Sequence, residues 1–164
     1  MAAGSTYTPL YTTTLGSAQA SVTFSSFSGY TDLVLVFNGG ATGTGDFHIQ
    51  VNSDAAGNYS RTWLTGTGSV ASSSGASSVG YMRLTQNGYM GTSLTNNIII
   101  NIMNYSNSTT HKTFLSRSNT VATGTDAIVN LWRSTSAITT IYCYADGTTF
   151  LSGSTFTLYG IAAA

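Results

Sequence analysis

Short apolar runs recur along the chain and are separated by Gly, Asn and Ser. The runs are rich in β-branched and aromatic residues, and no window longer than eight residues repeats apolar residues at helical spacing. Good helix formers are scarce. We therefore predict an all-β protein, an antiparallel jelly-roll-like β-sandwich of about 8–11 short strands with essentially no helix, and keep an up-and-down barrel as the weaker alternative. The predicted strands lie near residues 7–14, 20–27, 31–37, 46–52, 59–64, 80–85, 97–105, 112–118, 126–133, 137–144 and 154–161.

Several of the intervening segments carry turn chemistry. Asn38-Gly39-Gly40, Asn87-Gly88 and Asp146-Gly147 tolerate the positive φ that tight turns demand. The Gly- and Ser-rich stretch 66–79 has none of the β-branched residues typical of strands apart from Thr67, Val70 and Val79. We predict that this stretch is a long loop or a disordered excursion.

Three predicted strands are apolar on both faces. In the run 31–37, Leu33, Leu35 and Phe37 alternate with Val34 and Val36, and the runs 97–105 and 154–161 show the same property. A strand in an antiparallel sheet with one solvent-exposed face should instead alternate apolar with polar residues. The second face therefore needs a cover, which a loop, an extra sheet or a neighbouring subunit could supply.

The composition is poor in charge and rich in small polar residues. Only ten residues are charged, with no Glu and a single Lys, whereas Ser, Thr, Gly and Asn make up 80 of the 164 residues. An average domain is about a quarter charged. With 41% hydrophobic residues and a net charge of zero, the chain does not have the composition of a disordered protein. It suits a rigid β-structure coated with hydroxyls and amides.

This charge balance also limits the chemistry that we expect. Nucleic acid is bound by clustered Lys and Arg, and the only basic cluster is His111, Lys112 and Arg117, so we expect no nucleic-acid partner. The five Asp are scattered, and we interpret Asp46 and Asp54 as solvated turn residues rather than a pair of catalytic carboxylates. We predict no enzymatic activity and therefore no catalytic residues.

Other sites and segments are also not indicated. His48, His111 and Cys143 show no metal-ligand spacing, so we expect no metal and no cofactor. Cys143 lies in an apolar run and is interpreted as a small buried hydrophobe. The first residues carry neither a basic stretch nor an apolar run, so we expect no signal peptide, and no segment approaches the roughly 20 residues of a membrane span.

The closing sequence Gly153-Ser-Thr-Phe-Thr-Leu-Tyr-Gly-Ile161 carries a family resemblance. With Thr31-Asp-Leu-Val-Leu-Val36, Asn58-Tyr-Ser60, Asn104-Tyr-Ser106 and Trp132-Arg-Ser134, it resembles a family of small virion proteins of tailed, cyanophage-like bacteriophages. The resemblance spans about residues 20–161 and implies a β-sandwich structural protein of the particle without an active site. The resemblance alone does not distinguish a protein that coats the capsid from one that forms part of a fibre.

From the resemblance and the absence of a stalk-forming repeat we predict a capsid decoration (cement) protein. It would be made in the bacterial host cytoplasm, bind the major capsid protein or another virion protein and lie on the outer surface of the virion, with no membrane contact. The alternative is a carbohydrate-binding receptor module at a tail fibre or spike. Its candidate sugar-stacking residues are Trp63, Tyr81, Tyr89 and Trp132.

The first 14 residues are predicted to form a separate attachment segment before a single β-sandwich domain over 15–164. Pro9 cannot donate a hydrogen bond to a central ladder, so its strand belongs at a sheet edge, where another chain can be added. The candidate attachment residues are Tyr7, Pro9, Leu10 and Tyr11.

Self-association is the last expectation from the sequence. A net charge of zero leaves no electrostatic barrier to a homo-oligomer, and we predict a trimer by analogy with jelly rolls at capsid three-fold positions. Aromatic residues and Met are enriched in interface cores. The candidate subunit interface is therefore Tyr81, Met82, Tyr89 and Met90.

Overall fold

The computed structural model describes residues 6–86, 90–120 and 124–162 and contains twelve strands in two antiparallel sheets. The strands are β1 (Tyr7–Thr14), β2 (Ser21–Ser25), β3 (Asp32–Gly39), β4 (Asp46–Val51), β5 (Tyr59–Gly66), β6 (Ala71–Val79), β7 (Met82–Arg83), β8 (Asn96–Ile102), β9 (Lys112–Thr120), β10 (Gly124–Trp132), β11 (Thr140–Asp146) and β12 (Thr155–Ile161). The prediction of an all-β antiparallel sandwich is confirmed. Among the described residues there is no helix long and apolar enough to cross a membrane.

The two sheets are unequal in size. The large sheet has eight strands in the order β1-β12-β3-β8-β9-β10-β5-β6, and the small sheet has four in the order β2-β11-β4-β7. Strand β1 and strand β6 are thus the two edges of the large sheet. Because the small sheet has only half as many strands, it leaves part of the large sheet without a facing sheet.

The core lies between the sheets and is built around four phenylalanines. Phe37 of β3 packs against Phe47 of β4, Phe150 and Phe156 of β12, with ring centroids 4.8–5.5 Å apart. All four side chains are completely buried. The tilted and edge-on arrangement of these rings is the geometry that aromatic side chains prefer.

Strand β6 corrects the sequence-based expectation for residues 66–79. Only residues 67–70 form a turn, because Gly66 ends β5 and Ala71–Val79 pairs with β5 from Tyr59↔Val79 to Gly66↔Ala71. Backbone hydrogen bonds to β5 hold β6 in place. Its small side chains show no alternation of apolar and polar residues from which a strand could be predicted. Another difference is smaller: the predicted strand 80–85 contains only the two residues of β7.

The closing motif contributes β12 and a close approach of two elements. Gly153 has a φ of 85° in the turn before β12, a conformation that glycine adopts without steric cost. The ring of Tyr30 lies directly over Gly160, where a Cβ atom would clash with it. Gly160 is therefore required for the packing of an aromatic ring.

Candidate interaction surfaces

The outer face of the large sheet exposes large apolar side chains. Leu64 of β5, Leu115 of β9 and Val129 of β10 are 61%, 50% and 47% exposed. The strand registers place these three side chains on one face, because inward and outward residues alternate along each strand and Val129 pairs directly with Leu115. Val36 and Ile99, which are half-buried, extend the same face over β3 and β8.

We call this surface the apolar face and define it by Val36, Leu64, Ile99, Leu115, Ala127 and Val129. These six residues lie on five neighbouring strands, which span roughly 19 Å at the usual spacing, and in two rows that are roughly 7 Å apart. The apolar face is therefore a stripe across the sheet, the size of the apolar centre of an interface to which each partner contributes about 800 Å². The strands that are apolar on both faces are therefore only partly covered within this chain, and apolar side chains on their second face remain partly exposed to solvent.

A groove runs across the apolar face beside strand β6. Its main part has a volume of about 880 Å³, and Leu64, Gly66, Ala71 and Ala127 contribute to its wall. A second part of about 470 Å³ follows along β5 and β6 and is lined by Val129 and Leu131 among others. This side of the large sheet is therefore concave and mainly apolar.

The apolar face has very little charge. In the row of paired residues Leu64, Ala127, Arg117, Ile99 and Val36, only Arg117 is charged, and its side chain is exposed in the groove. The neighbouring row, through Thr62, Val129, Leu115, Asn101 and Val34, has no charge.

Four of the ten charged side chains are buried inside the sandwich, and two of these are aspartates. Asp46 opens β4, is buried and forms an ion pair with Arg83 at 2.8 Å. Asp126 of β10 is also buried and accepts hydrogen bonds from the Thr65 hydroxyl at 2.6 Å and from the backbone N–H of Gln86 at 2.8 Å. The interpretation of Asp46 as a solvated turn residue is therefore wrong, since Arg83 and the Thr85 hydroxyl replace water around its carboxylate.

Asp54 lies in the turn after β4, as the sequence indicated, and has three hydrogen-bond donors. The indole of Trp132 donates at 2.7 Å, the Asn58 amide at 2.9 Å and the backbone N–H of Ala56 at 2.9 Å. Burial raises the pKa of Asp54, but these hydrogen bonds outweigh it and the pKa is lowered overall. The carboxylate thereby ties the β4–β5 turn to the end of β10.

A second surface begins on the outer face of the small sheet and continues past β7 onto the inward side of β5 in the large sheet. Tyr142 and Tyr144 of β11 stack with ring centroids 5.2 Å apart, and His48 of β4 contacts Tyr144 edge-on at 5.3 Å. Tyr81 then stacks on His48 at 4.0 Å, and Arg61 lies over the Tyr81 ring at 5.3 Å. We call these five side chains, with Trp63 beyond Arg61, the aromatic ladder.

His48 lies in the middle of the ladder and is only 3% exposed. Burial, together with the positive charges of Arg83 and Arg61, lowers the pKa of His48 to about 3. Neither ring nitrogen has a hydrogen-bond partner, and the Asp146 carboxylate is 3.9 Å from Nδ1. The imidazole is therefore neutral at neutral pH and acts as an aromatic ring in a stack. Burial also raises the pKa of Tyr144 to about 12, so its hydroxyl stays protonated.

The predicted subunit interface is not one surface. Met82 and Met90 are buried in the core of the chain itself, so these two residues are corrected from interface to core. The inward face of β7 puts Met82 opposite Ile49, which explains its burial. Tyr81 is half-buried and belongs to the aromatic ladder, and Tyr89 lies outside the described residues.

The predicted attachment residues divide between the two faces of β1. Tyr7 and Pro9 are exposed and pair with Ile161 and Tyr159 on the outer face. Leu10 lies in a bulge, Tyr11 follows it, and both side chains pack partly against the core. Strand β1 is part of the large sheet and lies at its edge; attachment to another chain stays a prediction.

The candidate sugar-stacking residues do not form one exposed platform. Trp132 is buried, which removes it as a platform, while Trp63 and Tyr81 are half-buried in the aromatic ladder. The most exposed ring of the ladder is that of Tyr142, which reasoning from the sequence missed, and the half-buried Tyr144 stacks beside it. The alternation of these two tyrosines with the buried residues Ile141, Cys143 and Ala145 was the available signal.

Cys143 is confirmed as a buried core residue, and burial raises the pKa of its thiol. Comparison with known proteins adds no assignment: no family model matches the chain, and no curated protein matches it.

Proposed function

We propose that this protein is a structural component of a bacteriophage particle, and specifically a capsid decoration protein that binds the outside of the head through the apolar face. The observation that carries the proposal is the exposed, nearly uncharged face around Leu115 and Val129. Scattered single apolar side chains are normal on a protein surface, whereas exposed apolar side chains that lie side by side mark candidate interaction sites. The resemblance of the 153–161 motif to phage virion proteins supplies the kind of partner.

The proposed mechanism is stabilisation by mass action. A protein that binds the assembled shell but not free capsid subunits shifts the equilibrium toward the intact particle. This mechanism needs no active site and no cofactor. It needs a rigid surface, and strand pairing across the eight-stranded sheet supplies one.

The first test is a charge placed on the apolar face. We expect Leu115→Asp to weaken binding to undecorated capsids by more than about thirty-fold, because burying an unpaired charge at an interface centre costs at least about 2 kcal/mol. Co-sedimentation with capsids measures the affinity. Tyr142→Asp, on the opposite face of the sandwich, is the matched control and should bind as the wild type does.

Two outcomes would contradict the proposal. Unchanged binding of Leu115→Asp would show that the apolar face is not the contact. A copy number of a dozen or fewer in each virion, instead of hundreds, would place the protein in a tail or fibre.

A specific observation also supports a second candidate function, a carbohydrate-binding receptor module. Tyr142 is 37% exposed, its ring is parallel to that of Tyr144, and the exposed carboxylate of Asp146 lies on the same face. Exposed aromatic rings beside a carboxylate suit the stacking and hydroxyl contacts of a sugar. The groove on the apolar face lacks aromatic side chains among its lining residues and does not suit this purpose.

A glycan array with the isolated protein separates the two functions. A decoration protein should show no saturable binding to any glycan. Binding that disappears in Tyr142→Ala and persists in Val129→Ala would instead assign the receptor function to the aromatic ladder.

A further inference from the structure

Strand β6 is an unusual edge strand. It has nine residues, Ala71–Val79, and pairs with β5 on one side only. Its residues are Ala, Ser and Gly up to the final Val79, and most of them are exposed on both faces of the sheet. It contains no charged residue and no proline.

The other described sheet edges each carry a feature that limits further pairing. Strand β1 has Pro9 and a bulge, both of which interrupt a ladder. Strand β2 has five residues, and the Tyr11 hydroxyl donates to the Ser25 carbonyl at its end. Strand β7 has only two residues.

An unprotected edge presents a row of backbone N–H and C=O groups that another strand can pair with. Natural proteins block such edges with charges, prolines, bulges or short strands. Strand β6 has a bulge at Ser78, beside its last residue. Its residues 71–77 have none of these features on their free side, and with nine residues the strand is among the longest of the sheet.

We propose that β6 pairs antiparallel with β6 of a second copy of this chain, around a two-fold axis. The two eight-stranded sheets then become one continuous sheet. This inference does not rest on the proposed function, and it replaces the predicted trimer with a two-fold dimer.

Three properties of β6 favour a second copy as the occupant. Antiparallel pairing of a strand with itself is self-complementary by symmetry and closes after two subunits. The segments that meet have equal length, and their small side chains present no steric barrier on either face. Neither segment has a charge to repel the other, and the whole chain has a net charge of zero.

The pairing also has a consequence for the groove. Ala71 and Ser73 line its main part, and Gly75 and Ser77 line its continuation. The grooves of the two copies would therefore run along both sides of the shared pair of strands. A dimer would present one joined concave surface in place of two separate ones.

The mass in solution tests the proposal. Light scattering between about 1 and about 100 μM, a range that spans ordinary dimer affinities, is expected to give twice the chain mass of 17.1 kDa for the wild type. We expect Ser74→Lys to weaken dimerisation by at least about ten-fold, since it places like charges near the two-fold axis. Thr113→Lys, at an exposed position on the interior strand β9, is the control and should remain dimeric.

Ser74→Lys could also weaken dimerisation by detaching β6 from β5 within one chain. Cysteine cross-linking avoids this ambiguity, because it tests the contact between the two β6 strands directly. Single cysteines at each position from Ser72 to Ala76 are oxidised in turn, with the native Cys143 buried. The residue on the axis lies opposite its own copy, so only the position at or next to the axis should form a disulfide-linked dimer, because the two Cβ atoms must lie about 3.5–4.5 Å apart. A monomeric or trimeric wild type, or no cross-link at any of the five positions, would overturn the proposal.

Discussion

The free energy of unfolding is expected to fall by on the order of 4 kcal/mol as the pH drops from about 6.5 to about 3, and His48 is the cause. The unfolded chain takes up a proton on this histidine near the ordinary histidine pKa of 6.5, whereas the folded chain resists protonation until a pKa of about 3. In that window the unfolded state binds more protons, so stability declines with falling pH. Each unit of pKa difference corresponds to about 1.4 kcal/mol.

His48→Phe should remove most of this acid dependence. The phenyl ring can stack on Tyr81 and Tyr144 as the imidazole does, and no hydrogen bond is lost because neither nitrogen of His48 has a partner. We therefore expect the variant to have wild-type stability within about 1 kcal/mol at pH 7. Urea unfolding at a series of pH values measures both effects.

His111→Gln provides the control for the histidine titration. His111 is exposed, so removing it should leave the acid dependence intact. Asp54, whose pKa is lowered from the ordinary aspartate value of 3.8, contributes stability that is lost only below that value. A His48→Phe variant that lost as much stability as the wild type between about pH 6.5 and about pH 4 would therefore contradict the assignment to His48.

Truncation of Phe37 should also have a large effect. Phe37→Ala leaves a cavity among Phe47, Phe150 and Phe156, and we expect the free energy of unfolding to fall by about 3–5 kcal/mol. Domains of this kind are typically stable by about 5–15 kcal/mol, so the variant would be marginally folded. Chemical denaturation measures this loss. The slope of the unfolding free energy against denaturant concentration should be the same as in the wild type, which shows that only stability has changed.

Leu115→Ala is the matched control for core truncation. Leu115 is half exposed on the apolar face, so the free protein should change by no more than about 0.5 kcal/mol. A loss from Phe37→Ala that was equally small would show that the phenylalanine cluster does not hold the two sheets together.

The alternation of apolar residues predicted most of the strands. Strand β12 is an example: the sequence placed it near 154–161, and the side chains of Phe156 and Leu158 are buried in the core. Strand β6 could not be predicted in this way, because its serines carry no apolar pattern and pair through the backbone. The sequence also could not show which face of β3 is the core face, since both of its faces are apolar.

The candidate surfaces were harder to predict than the strands. Leu64, Leu115 and Val129 lie far apart in the chain, and only the register of β5, β9 and β10 brings them together. The ion pair of Asp46 with Arg83 likewise depends on the pairing of β4 with β7. Met82 and Met90 were assigned to an interface because residue type alone does not distinguish an interface core from the protein core.

The location of the charges has a consequence for the response to salt. Asp46, Arg61, Lys112 and Asp126, four of the ten charged side chains, are buried, where dissolved ions screen them only weakly. The apolar face would make its contacts without ion pairs, and strongly hydrated salts strengthen such contacts. We therefore expect a rise in ionic strength to change the free energy of unfolding only slightly, and to leave the affinity of the apolar face for a partner intact.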